Sequence, residues 1–239
     1  MISDDVQRHY TIGHLQKDVL AALVESGYDP DNLDPEALAP AEEFHTLGRS
    51  ATTALSEAAK ITATDRVLDV GSGLGGPARM LARTYGCHVN GIDLTAELCD
   101  VATDLTRRVG LADKVEIRQG NALDLPFEDG SFDVVWTQHV SMNIADKSKL
   151  YAEMRRVAKI GARLAFFDIL AGPLQPIHFP VPWADDQATS FLATASETRS
   201  KVEASGFKVR VWEDVTQQAA DFYEQLSKVP PVRTPLGLH

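Results

Sequence analysis

The stretch Asp69-Val70-Gly71-Ser72-Gly73-Leu74-Gly75-Gly76-Pro77 places a carboxylate two residues ahead of a run of glycines. Glycines let a backbone come close to a ligand and turn its amides outward. Asp93 lies 22 residues beyond Gly71, where an acid after the second strand of a nucleotide-binding unit meets a ribose. The same spacing serves dinucleotide-binding proteins, so Asp69 carries the discrimination. Negative charge at that point suits a cofactor with a cationic head group and opposes a pyrophosphate. Pro77, in the first helical turn, removes one of the free amides an anion would use. Farther along, His139 and Asp168 each follow an apolar run. An imidazole titrates near neutrality and a carboxylate orients it or stabilises its cation, so these two are the natural proton acceptors.

Elements must hold these groups together, and the chain supplies them. From Arg66 onward short β-branched runs alternate with longer helical patterns, the mark of a mostly parallel sheet with helices on both faces. Strands are expected at 66–70, 88–93, 115–119, 132–136, 163–169 and 207–212. Helices are expected at 77–85, 96–109, 148–157 and 195–205, each stopping near a Gly or a polar break. Residues 1–60 read as a helical cap, with apolar spacing through Ile12, Leu15, Val19, Ala22 and Leu23 and a Pro- and Asp-rich connection at 29–40. The core is then 61–239, and 171–186 forms a Pro-rich insertion loop that excludes helix and interior strand. With 239 residues, 44% hydrophobic and 24% charged, one generous domain with a cap is expected, and disorder is not.

Charge narrows the partners. Against 23 Lys and Arg stand 34 Asp and Glu, a net charge of −11 that repels phosphate backbones and anionic lipid. Neither nucleic acid nor a membrane is expected as a partner. An acidic N-terminus and the absence of a long apolar run point to the cytoplasm. Cys87 and Cys99 fit neither a disulfide framework nor a zinc site and are read as reduced and structural. Asp185 and Asp186 near His178 suit a helix cap better than a metal, and no metal is expected. Nothing in the sequence sets an oligomeric state.

Val67-Leu68-Asp69-Val70-Gly71-Ser72-Gly73 resembles the first motif of class I S-adenosylmethionine-dependent methyltransferases, which have a Rossmann-like α/β fold. Gly91-Ile92-Asp93, Gly120-Asn121-Ala122-Leu123-Asp124-Leu125-Pro126-Phe127 and Ser131-Phe132-Asp133-Val134-Val135-Trp136 resemble its later motifs. The resemblance implies S-adenosyl-L-methionine as cofactor and S-adenosyl-L-homocysteine as product. It implies that Gly71, Ser72 and Gly73 meet the methionine part and that Asp69 organises that pocket. Asp93 would accept the ribose hydroxyls, Asn121 and Ala122 would face the adenine, Leu94 would pack on its ring, and Gln138 would line the methyl end. Gly73-Leu74-Gly75-Gly76-Pro77-Ala78-Arg79 and Glu43-Phe44-His45-Thr46-Leu47-Gly48-Arg49-Ser50-Ala51-Thr52 are similar to the branch of sarcosine/dimethylglycine N-methyltransferases, tocopherol-type enzymes and natural-product methyltransferases. That branch implies a small-molecule acceptor methylated on an amine nitrogen or a hydroxyl or phenol oxygen. Carbon methylation, a non-catalytic cofactor-binding protein and an NAD-linked oxidoreductase are the rival readings.

In this fold the acceptor lies beyond the carboxyl ends of strands four and five. That makes His139 the leading general-base candidate and Asp168 the second. Some sugar O-methyltransferases of the branch carry paired histidines where this chain has Met142 and Asn143. His178, Phe179 and Trp183 of the insertion loop would line an acceptor pocket, by cation–π attraction for an ammonium group or by stacking for a planar ring. After Trp212 the sequence shows a polar helix at 217–228 and no later apolar strand, so the seventh strand usual in the family is not expected within these residues.

Overall fold

The computed structural model describes residues 2–34, 38, 45–173 and 176–228, with side chains from Asp5 onward. Glu43 and Phe44, Leu174 and Gln175, and the tail after Lys228 lie outside the described residues. Five strands, β1 (Arg66–Val70), β2 (His88–Asp93), β3 (Val115–Gln119), β4 (Phe132–Gln138) and β5 (Ala158–Phe167), form one sheet in the order β3-β2-β1-β4-β5. Every pairing is parallel. In chain order the helices are α1 (Ile2–His9), α2 (Leu15–Glu25), α3 (Gly48–Ala59), α4 (Gly76–Tyr85), α5 (Ala96–Arg108), α6 (Lys147–Val157), α7 (Ala195–Ala204) and α8 (Thr216–Leu226).

The sheet is apolar on both faces because helices cover both, as parallel strands require. Val67, Val89, Val134 and Trp136 turn to one face, against Ala78 and Leu81 of α4 and Leu55 of α3. Leu68, Val70, Ile92 and Val135 turn to the other, against Leu150, Tyr151 and Met154 of α6. β1 lies between β2 and β4, so its carboxyl end is where the strand order reverses and a crevice opens.

Three expectations change. Residues 207–212 form no ladder, although Phe207 and Val209 pack on the α6 face and the Trp212 ring meets Phe166 edge-on at 5.7 Å. Alternating side chains found their apolar surface there without a backbone partner among the described residues. β5 starts earlier than expected, at Ala158 directly after α6, and ends at Phe167. Helix α3, assigned by sequence to the cap, packs on the sheet through Leu55 and Ala59. The outlying pair is α1 and α2. Leu15, Val19 and Leu23 of α2 bury against Leu98, Val101 and Leu105 of α5. Glu97, in the first turn of α5, accepts the backbone N–H groups of Ile12 (2.7 Å), Gly13 (2.9 Å) and Leu15 (2.9 Å), which ties the α1–α2 turn to the core. Those three donors hold the Glu97 carboxyl below its ordinary range despite its partial burial.

Candidate active site

At the end of β1 the chain turns sharply. Gly71 takes φ +75° and Gly73 φ +52°, left-handed values that favour glycine. The N–H groups of Gly71 and Ser72 both donate to Ile92 O, at 2.8 and 3.1 Å, so the loop is hung from the end of β2. A Cβ on Gly71 would stand 2.2 Å from Val140 Cγ2. Pro77 sits in the first turn of α4. The loop is bolted from behind by Arg79, whose guanidinium is buried and donates to Ala102 O at 3.1 Å and Thr106 Oγ1 at 3.0 Å of α5.

The loop opens into a cavity of about 720 Å³. Asp69 lines it at 2% exposure, and its Oδ2 finds no hydrogen-bond partner among the described residues. Burial first, then the neighbouring Asp93, pushes the Asp69 carboxyl up to about 7. Such an orphaned acid is costly unless a cation or donor meets it. Asp93 is better held: Gly73 N–H donates to Oδ2 and Thr95 N–H to Oδ1, both at 2.9 Å. Each oxygen keeps a second lone pair for a hydroxyl. Burial raises the Asp93 carboxyl and these donors oppose it. Leu94, Asn121 and Ala122 line the same end. Asn121 turns its Oδ1 onto Leu123 N–H at 2.9 Å, an Asx turn that shapes the loop.

Gln138 ends β4 at 8% exposure. Its Oε1 accepts Trp136 Nε1–H at 3.1 Å and lies 3.3 Å from Thr52 Oγ1, while its Nε2 has no partner among the described residues. His139, next along, has φ +53°, a sparsely populated conformation for a non-glycine, held by its N–H bond to Phe167 O at 2.8 Å. Its imidazole lines the cavity, with Nε2 buried and unpartnered among the described residues. Burial, followed by repulsion from His45, lowers it to about 3.

Asp168 does not join His139. The alternation along β5 sends Phe167 to the His139 side, with ring centroids 5.1 Å apart, and Asp168 away from the cavity wall. Asp168 Oδ2 accepts Ser141 N–H at 3.1 Å, and burial raises this carboxyl to about 6.

The segment after β4 ties the roof together. Asn143 Nδ2 donates to Trp183 O at 2.8 Å and Thr189 O at 3.0 Å, and its Oδ1 accepts Tyr10 O–H at 3.2 Å. One side chain thus joins the turn after α1, the segment after β4 and the loop after β5. Met142, Phe179, Trp183 and Ile169 form a small apolar cluster, and Trp183 Nε1–H donates to Ser190 Oγ at 3.0 Å. Met142, Asn143 and Trp183 line the cavity; Phe179 packs behind them, and His178 is exposed and outside the wall. Asp186 caps the short helix Gln187–Thr189 through Ala188 N–H at 2.7 Å, and Asp185 lies 3.0 Å from His9 Nδ1.

Sequence patterning did not point to His45, Thr52 or Tyr223 as site residues. Val6 and Tyr10 of the cap, His45, and Tyr223 of α8 all line the cavity. The signal for His45 was its place beside Thr46 and Thr52, two hydroxyl residues within one turn of a helix start.

A glycine turn at the reversal point of a parallel sheet, an acid behind it and an acid at the end of β2 define an α/β enzyme site for a nucleoside cofactor with a cationic head. Residues 68–166 match the family described as methyltransferase domain. The chain is similar to methyltransferase GfsG of Streptomyces halstedii, with 34% identity over 210 residues, covering 82% of this chain and 69% of that protein. It is 30% identical to the glycine/sarcosine/dimethylglycine N-methyltransferase of Actinopolyspora halophila over 80% of this chain and 34% of that protein, so it spans about a third of that relative's length. Geranyl diphosphate C-methyltransferase from Streptomyces coelicolor A3(2), crystallised with S-adenosyl-L-homocysteine, shares the fold at TM-score 0.75 and 20% identity, over 98% of this chain and 90% of that one. The chain belongs to the S-adenosylmethionine-dependent methyltransferase family.

Proposed function

We propose that the protein transfers the methyl group of S-adenosylmethionine to a small-molecule acceptor, at an amine nitrogen or a hydroxyl or phenol oxygen. The observation that carries this reading is the buried Asp69 carboxyl group behind the glycine turn, whose Oδ2 has no partner among the described residues and which would supply the counter-charge for an α-ammonium group. Asp93 holds the ribose hydroxyls on its free lone pairs, Leu94 and Ala122 flank the adenine with Asn121 at its edge, and Ser72 and Gly73 border the methionine part. The Gln138 carboxamide is fixed through its oxygen, and on this reading its NH2 is the donor nearest the methyl end. The cofactor supplies an electrophilic sulfonium methyl, so in-line alignment of the acceptor accounts for much of the rate.

The acceptor lies against His139, Met142 and Trp183, under Tyr10 and the loop after β5. His139 accepts the acceptor's hydrogen bond at Nε2, and Asp168 acts at a distance by holding the Ser141 segment. Isothermal titration with S-adenosylhomocysteine and with NAD tests the cofactor; tight NAD binding with no affinity for S-adenosylhomocysteine refutes the reading. For the acceptor side, turnover and pH dependence left untouched in His139→Gln would remove that residue from the chemistry.

A further inference from the structure

We propose that Lys147, which stands outside the cavity wall, is a positioning residue for the acceptor: its buried ammonium group fixes the backbone on both sides of Met142 and Asn143 and ties it to the segment ahead of α7. This rests on the reading above, in which that wall bounds the acceptor, and deepens it.

Lys147 opens α6 and is 3% exposed. Its Nζ donates to Ser141 O at 2.7 Å, Ile144 O at 2.9 Å and Phe191 O at 2.5 Å. Three carbonyls need three hydrogens, and only the ammonium form carries them. A neutral amine would set its lone pair against the third oxygen. Local preference opposes a cation here. The first turn of a helix is its positive end, and a lysine is seldom buried without a carboxylate partner. Asp168 attracts the ammonium without forming an ion pair with it among the described residues, and Lys201 of α7 repels it. Residues that break local rules in this way concentrate where function requires them.

What the ammonium holds is the acceptor side of the cavity. Ser141 and Ile144 flank Met142 and Asn143, and Met142, Asn143 and Ile144 all line the cavity. Phe191 closes the circuit, since its N–H donates to Met142 O at 2.7 Å while its carbonyl accepts from Lys147. Asp168 Oδ2 secures the same turn from the β5 end by accepting Ser141 N–H. Asn143, held in place by this backbone, carries the carbonyls of Trp183 and Thr189. Lys147 itself is not part of the wall, so its loss removes no contact with a ligand. It frees the backbone from which the wall side chains project. The cofactor half hangs separately: the glycine turn is tied to Ile92 O and Asp93, and Lys147 bonds to neither. In-line transfer depends on the distance and angle between acceptor atom and methyl, and a displacement of ~1 Å costs up to ~100-fold in rate.

The test uses the full chain. Methyl-labelled S-adenosylmethionine and an extract of the host identify the acceptor by its labelled product, and parent and variants are then compared with that compound. Lys147→Met keeps the apolar stem and loses the charge and all three donors. KM for the acceptor should rise about 10-fold, kcat should fall by less, and affinity for S-adenosylhomocysteine should stay within about 2-fold. Lys147→Arg keeps the charge on a planar fork that cannot meet three convergent carbonyls; it stands in if the first variant does not fold, with KM expected to rise about 3-fold or more. Lys147→Ala separates charge from packing. Added n-propylammonium, which replaces the missing atoms, should restore KM, and n-propanol of the same size should not. A lowered Tm with KM unchanged overturns the proposal, as does equal rescue by propanol, or a loss of S-adenosylhomocysteine affinity as large as the rise in KM. Each of these leaves the methyltransferase reading intact. Absence of any labelled product from the parent protein overturns that reading and this proposal together.

Discussion

Asp69 couples the cofactor site to pH. Its folded value, about 7, lies above the 3.8 of an ordinary aspartate, so the folded chain binds more protons than the unfolded one between these values. Stability of the free protein therefore falls as pH rises through that window. Asp69→Asn removes the loss, and its Tm relative to the parent protein should be higher at pH 8 than at pH 5, read by differential scanning fluorimetry. Cofactor binding has the opposite sign. Affinity for S-adenosylhomocysteine should strengthen from pH 6 to pH 8 in the parent, and in Asp69→Asn it should be flat and weaker at pH 8 by about 2 kcal/mol, ~30-fold. Calorimetric titration at both pH values checks this. Gly71→Ala sets a Cβ at 2.2 Å from Val140 in a left-handed turn. It should lower both Tm and cofactor affinity, the latter ~10-fold or more, because the turn has to open to admit the methyl.

Elements reach the site through single polar ties. Glu97→Ala leaves three backbone donors of the α1–α2 turn without their acceptor and should destabilise by about 2 kcal/mol. Hydrogen exchange should quicken first over residues 10–25, and unchanged exchange there would refute the tie. Asn143→Leu, close in volume but without the amide, strands the carbonyls of Trp183 and Thr189 and should raise KM for the acceptor more than it lowers kcat. The strands that hold the cofactor were legible in the sequence because glycine spacing, strand-end acids and β-branched runs are local properties. The segment 207–212 was not, since apolar residues at Phe207, Val209 and Trp212 find the core while Val211 stays exposed, and their spacing says nothing about which backbone lies alongside. His45 was equally out of reach as a site residue. It stands far from His139 in the chain, and the packing of α3 on the sheet brings the two rings together. Asp168 shows the converse, a residue at the expected strand end whose side chain turns away because successive residues of a strand face opposite sides.

At the scale of the whole molecule, the cap, the sheet crevice and the loop after β5 enclose one cavity, so a ligand there stabilises elements far apart in sequence. S-adenosylhomocysteine at a hundredfold excess over its Kd should add about 2.7 kcal/mol of stability. For a domain of this size that is a Tm increase of ~5–10 °C, with NAD giving none. Among the described residues no helix is long and apolar enough to cross a membrane. The chain has three tryptophans, and they divide by position: Trp136 is fully buried in the sheet, Trp212 lies on the Phe166 edge, and Trp183 lines the cavity. Trp183 is pinned at its indole nitrogen by Ser190 and, on the function proposed above, stands beside the acceptor. The protein therefore carries its own optical probe. An aromatic acceptor stacking on this indole quenches its emission while the other two indoles emit as before, so ligand arrival is readable by intrinsic fluorescence in a stopped-flow mixer, without a label or a completed turnover.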